Sequence, residues 1–172
     1  FGAIGLAPHS QKRFDSMLWE RLQELGNTPY YIIEGESKRI GRISLPEFIL
    51  QGKRNSIRIN LACPFDERLK TIYSTYRPND HRDEIVAATE KIMKRLPFPL
   101  QEKLTSCLQE KAYMDVFAIL LEHYYDPRYT HKTNEYTYAI AHDIYFESFQ
   151  EGYQKIKKAI ADIIANNFRI KN

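Results

Sequence analysis

Two short apolar runs, each followed by signals for a helix, constrain most what this chain can fold into. Residues 30–33 are all aromatic or β-branched and are bounded by turn residues, and Ile57–Ala62 is a second run of strand type. Both predict buried strands. Alternation of strand and helix in the first third predicts an α/β fold with a mostly parallel sheet. In such sheets ligands bind beyond the carboxyl ends of the strands.

Helical spacing of apolar residues predicts further elements along the chain. A first helix is expected between Ser10 as N-cap and Gly26 as its stop. Ser44 and Glu47 have the spacing of a capping box, so a second helix is expected to start there and to end by Gly52. Further helices are predicted after Cys63-Pro64 and over 84–96, 100–108, 113–124 and 149–168, with breaks at 77–80, 97–99 and 126–127 and a strand over 135–141.

Composition excludes several classes of protein. Hydrophobic residues make up 43% and charged residues 27% of 172 residues, which is typical of one globular domain with a core. The longest apolar run, about 116–121, is too short to span a bilayer. Cys63 and Cys107 form no C-x-x-C pair, which favours a reducing cytoplasm over a disulfide framework. The net charge of +3 is compatible with a nucleic-acid partner but does not require one.

The stretch EGESKRIGR, residues 34–42, places dense charge at the end of the first predicted strand. Glu34 and Glu36 have the chemistry and position to hold a hydrated Mg²⁺. The basic residues beyond them suit phosphate oxygens, and a glycine lets main-chain N–H groups approach an anion. The predicted phosphate or diphosphate ligands are Ser37, Lys38, Arg39, Gly41 and Arg42. A solvated loop with local ion pairs is the alternative.

Two weaker sets of candidates lie further along. The run HYYDPRY can contact RNA by stacking and phosphate contacts, although tyrosines that pack in the core are the alternative. The RNA candidates in it are His123, Tyr124, Tyr125, Arg128 and Tyr129. Arg68 and Arg77 sit where a nucleotide-kinase-like fold keeps lid arginines, with exposed helix arginines as the alternative. Cys63 is interpreted as a packed or capping cysteine, and no Walker A, G-x-S-x-G or H-E-x-x-H motif occurs.

Residues 33–43 closely resemble the E-D-E-S-R-R-I-G-R signature of bacterial tRNA 2-selenouridine synthases. Residues 1–6, 44–46, 63–69 and 123–129 are also similar to segments of that family, so the likeness runs in register to about residue 129. Two positions depart from the signature: Gly35 replaces the usual Asp, and Lys38 replaces a usual Arg. If that Asp holds a metal in relatives, either its role here passes to Glu34 or Glu36, or the site differs.

The resemblance implies a rhodanese-like domain with a catalytic cysteine, followed by a P-loop NTPase-like domain. This chain is expected to be most of the second domain, truncated before it, without the Walker A loop or a catalytic residue, and with a helical insertion or subdomain at about 79–125. Family activity replaces sulfur by selenium in wobble 2-thiouridine of tRNA, with selenophosphate as donor and a geranylated intermediate made from geranyl diphosphate.

The partners implied are tRNA and the protein's own rhodanese-like domain, and the isolated chain is expected to be inactive. A nucleotide-kinase-like phosphotransferase and a non-catalytic interaction domain remain as alternatives.

Overall fold

A computed structural model describes residues 4–5, 7, 9–35, 38–132 and 140–169 of the chain. Within these ranges helices predominate, and the α/β class is confirmed. The elements are α1 (Gln11–Leu25), β1 (Arg39–Ile40), β2 (Ile43–Ser44), α2 (Glu47–Arg54), β3 (Ile57–Ala62), α3 (Phe65–Tyr76), α4 (Arg82–Met93), α5 (Phe98–Gln109), α6 (Tyr113–Leu120), a π-helical turn (Leu121–Tyr125), α7 (Asp126–Lys132), β4 (Ile140–Tyr145) and α8 (Phe149–Arg169).

The parallel sheet is a pair of strands, β3 and β4. Ile57 lies opposite Ile140 and Ala62 opposite Tyr145, and the Asn60 side chain donates to the Asp143 carboxylate at 2.6 Å. β3 has the predicted bounds. The strand predicted over 135–141 begins later, at Ile140, and residues 133–139 lie outside the described ranges. A sheet of P-loop type therefore stays a prediction, because the described strands form only this pair and an antiparallel hairpin of β1 and β2.

The buried strand predicted over residues 30–33 is wrong. Tyr30, Tyr31 and Ile33 are nearly half exposed, and Ile32 is 73% exposed. The segment has no strand assignment and no ladder partner within the described residues. Apolar, β-branched composition does not make a strand by itself, because the backbone groups need a neighbouring strand and one face needs cover.

The first two helices show how capping decides where a helix starts. In α1, Ser10 accepts a hydrogen bond from the Arg13 amide at 3.3 Å, and Gly26 ends the helix with φ +54°, as predicted. The prediction of a capping box at Ser44 is wrong, because Ser44 belongs to β2 and α2 begins at Glu47 after Pro46. The helix also continues past Gly52 to Arg54, since an isolated glycine weakens a helix without ending it.

The core lies among the helices of the middle of the chain. Packing joins α3 and α5 to α6, and α4 to α5. The buried cluster consists of Leu69, Ile85, Leu96, Leu104, Cys107, Tyr113, Val116, Phe117, Ile119, Leu120, Leu121 and Tyr124. Each such apolar side chain contributes about 1.5–3 kcal/mol when it is removed from water, so the packing of these helices contributes strongly to the stability of the fold.

The break predicted at Asp126-Pro127 is also wrong. The chain remains helical from Tyr113 to Lys132 and passes through a widened turn in which the Asp126 amide donates to the Leu121 carbonyl. Pro127 has no N–H to donate, but a first-turn position requires none. The π turn thus lets one helix end and the next begin without a loop.

Candidate functional site

The carboxyl ends of β3 and β4 meet at one edge because the strands are parallel. Ala62 ends β3 beside Tyr145, and Cys63-Pro64 then leads directly into α3. Arg68, in the first turns of α3, lies close enough to Cys63 for their charges to interact. This edge, rather than the end of residues 30–33, is where the structure meets the rule for ligand positions in parallel sheets.

Arg68 is held at this edge by Asp126. Its two terminal nitrogens donate to the two carboxylate oxygens, with Nη1 at 3.0 Å from Oδ2, and both side chains are about one-third exposed. The bond to Asp126 raises the pKa of Arg68, and the nearby Tyr129 phenol adds to that shift. The pair joins α3 to α7 across 58 positions of sequence and fixes the plane of the guanidinium group.

Cys63 has the character of a packed residue. Burial raises the pKa of its thiol, and the positive charge of Arg68 opposes that rise only in part. The thiol is therefore largely protonated at neutral pH, whereas a nucleophilic cysteine needs a lowered pKa. This agrees with the interpretation of Cys63 from sequence.

Most of the predicted phosphate ligands lie together on the hairpin of β1 and β2. Lys38, Arg39 and Arg42 are exposed, and Gly41 occupies the two-residue turn with φ +61°, in the left-handed region that glycine adopts without strain. Arg39 donates from Nε to the Ser44 hydroxyl at 3.4 Å. The hairpin therefore presents three cations within five residues. Ser37, the remaining candidate, lies outside the described residues.

Gln11 of α1, which the sequence did not single out, holds this hairpin in place. Its side-chain amide donates to the Ser44 carbonyl at 3.0 Å and accepts from the Ser44 amide at 2.9 Å. One side chain thus satisfies both backbone groups as a neighbouring strand would. No sequence signal marks this role, because Gln11 and Ser44 are 33 positions apart.

The proposed metal ligands cannot be joined into a site from the described residues. Glu34 is exposed, and Glu36 lies outside the described ranges. Among described residues no group of three or more His, Cys, Asp or Glu side chains is placed to hold an ion. Because Mg²⁺ often takes only one or two carboxylates and binds substrate phosphates besides, a magnesium site at Glu34 and Glu36 stays a prediction.

The two lid candidates do not come together. Arg68 lies in the first turns of α3 and Arg77 caps its C-terminus, nine residues further on, or about 13 Å along a helix axis. Arg77 pairs with Asp80 at 3.5 Å and lies 3.2 Å from the His81 ring nitrogen. The arginines thus serve different contacts at opposite ends of one helix.

The HYYDPRY run divides between core and surface. Tyr124 is 9% exposed, and burial raises the pKa of the half-buried Tyr125 well above its ordinary value. Their rings meet edge to face at 5.0 Å, as the packing alternative expects. His123, Arg128 and Tyr129 are exposed and remain the candidates for RNA contact.

Arg95, which the sequence analysis did not identify as a candidate, contacts the HYYDPRY run. Its Nη1 donates to the Tyr124 hydroxyl at 3.0 Å, although 29 positions separate the two residues. Its place at the end of α4 gives no hint of that partner, so no periodicity or motif could have indicated the contact.

The family model described as the tRNA 2-selenouridine synthase AAA domain matches residues 1–162. An uncharacterized protein of Methanocaldococcus jannaschii is 20% identical over 133 residues, covering 72% of this chain, and the chain spans 59% of that protein's length. No solved structure matches. None of the helices in the described part of the chain is long and apolar enough to cross a membrane.

Proposed function

Since this chain belongs to the tRNA 2-selenouridine synthase family, as its AAA domain, we propose that it works in the replacement of sulfur by selenium in wobble 2-thiouridine of tRNA. In this proposal the domain binds tRNA and the diphosphate of geranyl diphosphate. A rhodanese-like domain of the same protein supplies the cysteine for the selenium step, with selenophosphate as donor. The free thiols of Cys63 and Cys107 suit a reducing cytoplasm.

The basic hairpin is the observation that carries the proposal. Arg39 lies in β1 and Arg42 lies beside Gly41 in the tight turn, with Lys38 just before β1. Guanidinium groups bind phosphate oxygens in pairs of parallel hydrogen bonds, and a glycine turn leaves main-chain N–H groups open to an anion. Because Gln11 already orders the hairpin, less entropy is lost when a diphosphate binds.

In the geranyl step, the thiouridine sulfur bonds to the allylic carbon as the carbon–oxygen bond to diphosphate breaks. The electron pair of that bond leaves with the diphosphate, whose negative charge grows in the transition state. Lys38, Arg39 and Arg42 would stabilise that charge through preorganised donors. Mg²⁺ bound by Glu34 and Glu36 would add positive charge at the same diphosphate.

The nucleotide-kinase alternative receives no support from the lid candidates. A lid needs its arginines on one phosphate group, whereas Arg68 and Arg77 lie at opposite ends of α3. Arg68 instead bonds to Asp126, which suits a structural tie between α3 and α7.

The test uses the full-length enzyme with 2-thiouridine-containing tRNA and geranyl diphosphate. We expect Arg39→Ala combined with Arg42→Ala to abolish geranyl transfer and to weaken geranyl diphosphate binding in calorimetry, with an unchanged circular dichroism spectrum. The matched control, Arg21→Ala with Lys103→Ala, also removes two exposed cations and should leave both readouts as they are. Full transfer by the hairpin variant would remove these arginines from the mechanism.

A further inference from the structure

Tyr124 brings two arginines from different helices to one place. Arg95, just beyond α4, donates from Nη1 to the Tyr124 hydroxyl at 3.0 Å. Arg128, in α7, donates from Nη1 to the Tyr124 carbonyl at 2.8 Å, and its guanidinium carbon lies 3.6 Å from the centre of the Tyr124 ring. The two cations are therefore separated by no more than one tyrosine side chain.

Neither of these arginines forms an ion pair with a carboxylate among the described residues. The neighbouring acids have other partners: Asp126 binds Arg68, and Glu122 lies 3.7 Å from His123. Two like charges held on the same tyrosine side chain repel each other. A cation–π contact and a neutral phenol offset only part of that repulsion, so the arrangement favours an added anion.

The tyrosine that supports the two arginines is buried, whereas the arginines themselves are accessible. Tyr124 is 9% exposed and belongs to the buried cluster, while Arg95 and Arg128 are exposed. Fixing a long side chain on binding costs conformational entropy. The bonds to Tyr124 meet that cost before any ligand arrives, as expected for a binding surface and not for a solvated face.

We propose that Arg95 and Arg128, oriented by Tyr124, bind neighbouring phosphates of the tRNA backbone. This rests on the proposed function in taking tRNA as the partner. Two exposed guanidinium groups, one at the hydroxyl and one over the ring of the same tyrosine, suit a chain of phosphates better than a single small anion. Such contacts position the RNA and do not read its sequence, so this surface acts apart from the hairpin at Arg39 and Arg42.

The experiment measures the affinity of the full-length enzyme for tRNA at several salt concentrations. Each phosphate contact adds close to one unit to the slope of log K against log salt. We expect Arg95→Gln and Arg128→Gln each to weaken tRNA binding and to reduce that slope by about one, and the double variant to reduce it by about two. Tyr124→Phe keeps the ring beneath Arg128 but releases Arg95, so it should weaken binding less than the double variant.

Controls separate lost charge from lost fold. Arg95→Lys with Arg128→Lys keeps both charges and should restore most of the slope. Arg21→Gln, which removes an exposed cation of α1, should leave the slope as in the wild type. A double glutamine variant that folds normally and keeps the wild-type slope overturns this inference alone. Failure of the wild-type enzyme to bind tRNA at any salt concentration would overturn the tRNA part of the proposed function instead.

Discussion

Thr89 places a hydroxyl in the interior of α4, where it has no hydrogen-bond partner among the described residues. Its side chain is fully buried. A buried polar group without a partner costs about 1–3 kcal/mol, whereas a methyl group of the same shape carries no such penalty in an apolar interior. We therefore expect Thr89→Val to raise the free energy of unfolding by about 1 kcal/mol, measured as a higher urea midpoint with an unchanged slope.

Thr105→Val is the matched control for that change. The Thr105 hydroxyl is exposed and donates to the Gln101 carbonyl at 2.9 Å, so its removal should bring no gain. Equal effects of the two substitutions would show that the buried hydroxyl of Thr89 carries no penalty.

At the scale of single residues the sequence shows residue types and their spacing but not their contact partners. The basic residues around Gly41 follow from residue type and spacing. Arg68 was a lid candidate with an exposed helix arginine as the alternative, and its bond to Asp126, 58 positions away, leaves no mark in a linear pattern. Arg95 was missed for the same reason. Side-chain contacts across the fold depend on packing that local periodicity does not contain.

At the scale of elements, a Ser followed three residues later by a Glu occurs twice in the chain, and the second occurrence caps a helix whereas the first does not. Ser44 and Glu47 have the spacing of a capping box, but Ser44 belongs to β2 and its amide donates to the Gln11 side chain. Before α8, Ser148 accepts from the Glu151 amide at 3.4 Å, and the Glu151 carboxylate accepts from the Glu147 amide at 2.8 Å. The motif is thus a local preference that a competing tertiary hydrogen bond overrides.

Removal of the Gln11 side chain should loosen the hairpin without unfolding α1. Gln11→Ala deletes both bonds to the Ser44 backbone, and a hydrogen bond of this kind contributes about 0.5–1.5 kcal/mol. We expect the Ser44 amide to exchange its proton roughly tenfold faster, as measured by NMR. Gln23→Ala, an exposed position on the same helix, should leave that rate unchanged. An unaltered Ser44 rate in Gln11→Ala would mean that the hairpin holds itself.

At the scale of the whole molecule, strongly periodic segments were predictable and pairing over long distances was not. α1, β3, α3 and α8 follow their predicted bounds closely because capping residues and apolar spacing agree there. The pairing of β3 with β4, which joins residues 83 positions apart, and the concentration of the core in the middle helices required the structure. The strand prediction for residues 30–33 was wrong because strand-like composition does not supply a neighbouring strand to pair with.

The attachment of α8 to the sheet depends on the absence of a side chain at Gly152. A Cβ there would lie 2.8 Å from two ring atoms of the buried Phe146, closer than real contacts allow. We expect Gly152→Ala to lower the free energy of unfolding by about 1–3 kcal/mol in urea titrations.

Gly52→Ala is the matched control for that change. Gly52 lies inside α2 with nothing within 4 Å, so its replacement should instead raise the free energy of unfolding by about 0.5–1 kcal/mol through helix propensity. Phe146→Leu should lessen the loss caused by Gly152→Ala, because contacting positions do not add. Equal stabilisation by both glycine substitutions would show that α8 does not rest on this contact.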